Sequence, residues 1–353
     1  MKRFFVWLAF CAMLFLLCGC GAREPEHVQG ADTAMGTVIQ LNLYISDDGE
    51  DFMGEILDLI VRLEEKTLSW RLDTSEVYQI NQAAHDGKSV QLSQELSRVI
   101  RQCLKLTEDS EGAFDVSLGP VIRLWNIDSW SPGLPEGLFQ VPDEQALREA
   151  LALCGSFRLH AESLTDEESD AGLVLYPEEG VMLDLGAVGK GLALDYILEL
   201  LKENPDVSGG AMSVGGSVLT YGTKPDGTVW RIGVANPWNS SENIGVLYLE
   251  GQWCVSTSGD YERYMEVGGV RYHHILDPAT GKPADSGLTS VTIVTKDGML
   301  SDALSTACFV LGREKGMELA VKYGAEALFV ECGGEIFMTP GMEEIFYSGS
   351  SGQ

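Results

Sequence analysis

Basic residues are scarce in this 353-residue chain: 24 Lys and Arg stand against 53 Asp and Glu, a formal charge of −29. A surface of that sign repels nucleic acid and anionic lipid head groups, so roles that rely on a general positive field are excluded. An anionic substrate must be met locally, by a metal ion or by individual lysines. A cysteine framework is also missing. Of eight cysteines, Cys11, Cys18 and Cys20 belong to the N-terminal segment; Cys103, Cys154, Cys254, Cys308 and Cys332 remain, odd in number and without CxxC spacing. That argues against both a disulfide scaffold and a zinc site. Neither the GxGxxG fingerprint nor a P-loop occurs, and no internal repeat is evident.

The apolar run Phe4 to Leu17 follows Lys2 and Arg3 and is too short for a mature spanning helix; it reads as a secretory signal. Its ending, Leu17-Cys18-Gly19-Cys20, resembles a bacterial lipobox. The resemblance implies a signal peptide over 1–19, acylation at Cys20, attachment to the membrane through lipid, and an extracytoplasmic location. Residues 20–31 read as a tether, 32–347 as one catalytic unit, and 348–353 as a disordered tail.

Gly36 to Ile45 alternates apolar and polar residues and predicts a half-buried strand. Phe52, Ile56, Leu59, Ile60 and Leu63 fall at helical spacing, and further helices follow Ser75, cover Leu96 to Leu104, and include Ala146 to Leu151. Trp125 to Pro142, rich in Pro, Gly and Trp, reads as a surface loop. From Phe157 to His160 onward strands dominate, up to two helices at Ser301 to Leu311 and Arg313 to Tyr323 and two last strands. Strands clustered apart from helices predict an α+β fold with largely antiparallel or mixed sheets flanked by helices.

The densest motif is Leu183 to Asp195, LDLGAVGKGLALD: an apolar run holding Asp184, a glycine turn holding Lys190, then an amphipathic helix through Leu201. Glycines let backbone approach a ligand, a helix start offers free N–H groups to anionic oxygen, and a lysine adds a point charge. The same turn also serves as a packing device. Two further stretches carry chemistry. In Tyr272 to Pro283, His273 and His274 are adjacent, so on a strand they face opposite sides and only one can look into a cleft as a base. In Asp302-Ala-Leu-Ser-Thr306, carboxylate and hydroxyl share one helix face and are hard ligands suited to Mg²⁺; taken alone, the pair reads first as an acid near a helix start with a back-bonded threonine.

Taken together, Met35-Gly36-Thr37, Ala113-Phe114-Asp115, Leu183 to Gly191, Ser213-Val214-Gly215-Gly216, Ser256 to Tyr261, His274 to Pro278 and Asp302 to Ala307 occur in an order that resembles the ApbE family of exported FAD:protein FMN transferases. The resemblance runs from about Met35 to Phe346 and implies a T-fold-related single globular unit. It implies FAD as substrate and Mg²⁺ as cofactor, with FMN passed to a threonine or serine of another exported protein, such as a membrane redox-pump subunit, and AMP released. Carried over by position, Asp184 and Lys190 contact FAD. Met35, Trp70, Ala113, Phe114, Asp115 and the Ile275 backbone line its pockets. The Ala187 carbonyl, Asp302 and Thr306 hold the metal, with Ser305 a further candidate, and Asp302 and His274 are catalytic, His274 as base. Ser213 and Ser217 stand where the family commonly has Asn and Asp. An FAD pyrophosphatase and a non-catalytic FAD-binding lipoprotein are the alternatives to the same site.

Overall fold

The computed structural model describes residues 24–46, 48–130, 140–164 and 172–349. The expected signal peptide with Cys20, residues 131–139 of the Trp-rich segment and the expected tail from 350 on lie outside the described residues.

The chain opens with a hairpin, β1 (Glu26–Ala34) and β2 (Thr37–Ile45), paired in register from Glu26↔Ile45 to Ala34↔Thr37. The expected tether is thus corrected: residues 26–31 are an edge strand. β1 is polar and faces water over most of its length, so no apolar alternation marks it. The long helix α1 (Gly49–Leu63) follows, capped by the Asp48 carboxylate on Asp51 N, and buries Phe52, Ile56, Ile60 and Leu63. It runs into a π-helical turn, Glu64–Leu68, and then into α2 (Glu76–Asp86), β3 (Val90–Gln91) and α3 (Gln94–Asp109).

The next segment departs from expectation. Gly119–Trp125 is a short helix, α4, and Trp125 and Trp130 are buried at 2% and 4% exposure rather than displayed on a loop. Their indole N–H groups donate to Gly281 O and Trp125 O, so each amphipathic ring is fully satisfied. With Leu118, Val121, Leu147, Met265 and Leu276 they form a small separate core. After α5 (Glu144–Leu151), Ser156–Leu159 is a 3₁₀ turn, not the predicted strand; the pairing strands are β4 (Ala161–Ser163) and β5 (Leu173–Leu175).

The apolar run before Lys190 is extended but joins no sheet beyond one bridge, Leu118↔Met182. The predicted strand there is corrected: its backbone is held by side chains and a loop, Leu183 by the Asn81 amide and Asp184 N by Val116 O. Helix α6 (Gly189–Glu203) starts earlier than the apolar spacing suggests, which puts Lys190 in its first turn. Then come β6 (Val207–Val214), β7 (Ser217–Gly222), β8 (Trp230–Asn236), β9 (Asn239–Leu249), β10 (Trp253–Gly259), β11 (Tyr264–Val267), β12 (Val270–His273) and β13 (Leu288–Thr295). The chain closes with α7 (Gly298–Leu311), α8 (Arg313–Lys322), β14 (Glu326–Glu331), β15 (Ile336–Met338), α9 (Pro340–Ile345) and β16 (Phe346–Ser348).

The main sheet has the order β1-β2-β6-β7-β10-β13-β14-β15 and is antiparallel throughout. Its interior strand β13 is buried at every position, because both faces are covered. Val291 and Ile293 point into the core shared with α1, α6 and α7, while Val294 joins Leu328 and Val330 under the three-stranded sheet β16-β9-β8. Burying each such aliphatic side chain contributes ~1.5–3 kcal/mol. α6 and α7 therefore lie side by side on the helical face of the sheet, and that contact positions the site.

Candidate active site

Two hairpin turns stand over the start of α6. Met35 and Gly36 both have positive φ (53° and 66°), the type I′ geometry that matches strand twist in a two-residue hairpin. Gly215 and Gly216, joining β6 to β7, repeat it at 56° and 90°. A side chain at Gly215 would meet Thr37 Oγ1 at 2.7 Å and Lys190 Cδ at 3.0 Å, so the aliphatic stem of Lys190 runs directly beneath this turn. Met35 is tied down by Glu64, which accepts from Met35 N at 2.8 Å, and its Cε lies 3.2 Å from where a Cβ would project on Gly189.

Asp302 comes from α7 and is 3% exposed. Lys190 Nζ lies 3.1 Å from Oδ1 and 3.4 Å from Oδ2, Gly191 N donates to Oδ2 at 3.0 Å, and Ser217 Oγ lies 3.5 Å from Oδ1. Gly191 N–H is one of the donors a helix start leaves without an intrahelical partner. Asp302 is thus not an acid at the start of its own helix; it caps the neighbouring one. Ala187 lies in the turn ahead of α6, immediately before the Val188 that caps it. Thr306 shares the face of Asp302, as expected, and its hydroxyl bonds back to Asp302 O at 3.4 Å while approaching Ser258 Oγ at 3.3 Å. Ser305 is more firmly engaged, at 2.8 Å from both Asp302 O and Ser258 Oγ. Among the described residues no three His, Cys, Asp or Glu side chains gather into a metal site. One carboxylate and one loosely held hydroxyl on the same helix face are nonetheless hard oxygen ligands of the kind that hold Mg²⁺ when substrate phosphates complete the shell.

The two histidines separate as their adjacency requires. His273 is buried, its ring edge-on to Phe309 and its Nε2 on Ala284 O. His274 is half-buried, and its Nδ1 donates to Arg263 O at 3.1 Å, since a carbonyl only accepts. That bond fixes the tautomer and leaves the Nε2 lone pair free. Burial, with Arg263 and Lys190 nearby, pushes the His274 pKa down to about 3, so the ring is neutral at physiological pH. Sequence reading passed over Glu262. Its carboxyl is open to water yet set deep enough that burial raises it to about 7, with Lys190 and Asp302 among the charges that act on it. No spacing rule marks Glu262 or Arg263; they reach the site because β10 and β11 flank it.

A second group surrounds Trp70. Arg71 lies 4.5 Å and Arg123 5.7 Å from its ring centre, and Arg71 also pairs with Asp128. Burial raises the Asp184 carboxyl, and its Oδ1 accepts from Gly186 N at 2.7 Å. These guanidiniums supply local positive charge that the acidic surface lacks. The 113–115 segment is less available than expected. Phe114 is 2% exposed, and the Asp115 carboxylate accepts from the backbone and hydroxyl of both Ser117 and Ser156. Its charge is therefore spent on holding the 154–156 turn, and a ligand meets this segment through backbone or through Ala113. Ile275 is likewise buried, with its carbonyl accepting from Ala284 N. A cavity of about 560 Å³ lined by Gly112, Asp115, Leu118, Cys154, Phe157 and Pro278 lies apart from the charged cluster; neither Lys190, Asp302 nor His274 lines it.

Known proteins resemble this chain along most of its length. A profile of the ApbE family matches residues 35–329. A protein of Treponema pallidum named FAD:protein FMN transferase is 31% identical over 94% of this chain and 92% of its own length. One of the same name from Klebsiella pneumoniae is 35% identical over 86% and 89%. The crystal structure of the ApbE protein of Thermotoga maritima superposes with a TM-score of 0.79 at 32% identity, over 91% of this chain and 99% of that one. The Pseudomonas stutzeri flavinyl transferase ApbE, in its apo form, gives 0.75 at 29% identity over 92% and 98%. With the profile spanning most of the sequence and relatives aligned nearly end to end, the chain belongs to the ApbE family.

Proposed function

We propose that this chain transfers FMN from FAD to a threonine or serine hydroxyl of an exported protein, with Mg²⁺ required and AMP released. The observation that carries the reading is the junction of α6 and α7, where Lys190, the Gly191 N–H and Asp302 meet beneath two hairpin turns and beside His274. A dinucleotide enters with its pyrophosphate at the start of α6, where the Lys190 ammonium favours anionic oxygen. Asp302, Thr306 and the Ala187 carbonyl would hold Mg²⁺, which when bound neutralises pyrophosphate charge. Asp184, Met35, Trp70 and the backbone of residues 113–115 and 275 border the rest of FAD. The acceptor hydroxyl oxygen bonds to the FMN phosphorus, the P–O bond to AMP breaks with its electron pair leaving on AMP, and the proton passes to His274 Nε2. A base held at about 3 is weak, so the proton moves as the new bond forms rather than before it.

The lipid anchor at Cys20 and an extracytoplasmic site of action belong to the same proposal. Incubating the protein with FAD, Mg²⁺ and an acceptor domain tests it. Flavin fluorescence fixed to the acceptor in a denaturing gel is the expected result; FMN and AMP free in solution would indicate a pyrophosphatase, and unchanged FAD a carrier.

A further inference from the structure

Two helices in this fold cap each other. On α6, Gly191 and Asp195 are four residues apart; on α7, Gly298 and Asp302 are four apart. Residues at that spacing share a helix face. The two glycines meet backbone to backbone: a Cβ on Gly191 would lie 2.0 Å from Gly298 O, and one on Gly298 would lie 2.3 Å from Gly191 O. Across that contact the carboxylates are exchanged. Asp302 accepts from Gly191 N at 3.0 Å, at the start of α6. Asp195 accepts from Gly298 N at 2.6 Å and Met299 N at 2.8 Å, at the start of α7. Asp297 covers the next donor, Leu300 N, at 2.7 Å. One arm of this reciprocal arrangement faces Lys190; the other lies against the backbone of the first turn of α7, with Asp297 nearby, and touches nothing that reacts.

The geometry points to Asp195 as a positioning residue for the reaction: it locks the first turn of α7 onto α6 and so sets where the Asp302 carboxylate stands against Lys190 and Gly191 N. Without Asp195, the first turn of α7 keeps only the Asp297 cap and can turn or slide about the glycine contact. A displacement of that helix is carried to Asp302 and Thr306 together, because both lie on one face of it, on its next two turns. This rests on the proposed role of Asp302 and Thr306 in holding a divalent cation.

The test uses the full folded protein with Mn²⁺ as the probe, its affinity read by calorimetry and its fold by thermal melting. Asp195→Ala is expected to weaken Mn²⁺ binding about tenfold or more. Asp195→Asn, which keeps one acceptor oxygen, is expected to restore affinity to within about threefold. Leu201→Ala, which empties a fully buried position on the same helix, is the structural control, expected to lower the melting temperature while leaving Mn²⁺ affinity unchanged. Equal affinity in wild type and Asp195→Ala, or an equal loss in Leu201→Ala, would overturn the assignment. If Asp195→Ala does not fold, Asp195→Glu, whose acceptor is one methylene longer, must weaken Mn²⁺ binding at an unchanged melting temperature; wild-type affinity there overturns it as well. No Mn²⁺ uptake by wild type would instead defeat the metal reading. Positioning is then judged by amide hydrogen exchange at Gly191, which must speed up in Asp195→Ala and not in Leu201→Ala.

Discussion

In the ligand-free protein, Lys190 occupies the carboxylate that is proposed to take the metal, and replacing it should therefore strengthen metal binding. Lys190 Nζ is 3.1 Å from Asp302 Oδ1 and 3.4 Å from Oδ2, with Asp302 almost fully buried and the lysine side chain 28% exposed. Opposite charges about 4 Å apart at an effective dielectric of about 20 attract by ~4 kcal/mol. Lysine regains water when it leaves, which offsets most of that, so the net cost of opening the pair is ~1–2 kcal/mol. Lys190→Gln should then bind Mn²⁺ about tenfold more tightly without FAD, because ~1.4 kcal/mol is a factor of ten. The same variant should bind FAD more weakly, having lost its phosphate partner. On the proposed reading FAD should draw Lys190 toward its pyrophosphate and free Asp302, so metal and FAD should raise each other's affinity by the same factor. Calorimetric titration of Mn²⁺ into each protein, with and without FAD, measures all four affinities. Unchanged or weaker metal binding in Lys190→Gln, or independent binding of FAD and metal in wild type, would refute the reasoning.

Other outcomes follow from the same geometry. Gly191→Ala drives a methyl into Gly298 O and against Asp302 Cβ, and should cost ~1–3 kcal/mol in denaturant unfolding while abolishing metal uptake. His274→Ala should keep FAD binding and slow transfer roughly 10²-fold. Because His274 is pushed down to about 3, the wild-type rate should show no loss assigned to this residue until the pH falls well below 5; a limb near 6.5 that disappears in His274→Gln would contradict this. Asp195 is raised to about 7 by burial and by Asp297, so between about pH 4 and 7 the folded chain holds a proton that the unfolded chain has released. Its contribution to stability therefore falls as pH rises through that window, and melting curves of Asp195→Asn should show a flatter pH dependence there.

The helices and most of the sheet could be read in advance because one-sided burial leaves a period, as in α1 and β2. β1 could not, since an edge strand exposed along most of its length has no apolar face to mark it. The run Val181 to Leu185 misled for the opposite reason: it is buried like a central strand but takes its hydrogen bonds from Asn81 and Val116 instead of a ladder. Of the site, the parts on α6 and α7 were legible as motifs, and the glycines of Leu183 to Asp195 proved partly to be packing devices, Gly191 above all. What stayed hidden was contributed by tertiary contact. Glu262, Arg263 and Arg123 lie outside any motif, and the Asp115 carboxylate is diverted to Ser117 and Ser156 by a turn forty residues away.

The most direct measurement is the intact mass of a threonine-bearing acceptor domain after incubation with this protein, FAD and Mg²⁺, run beside Asp302→Ala. The account predicts an added mass of FMN less one water with wild type and none with Asp302→Ala. An acceptor modified equally by both proteins would contradict it.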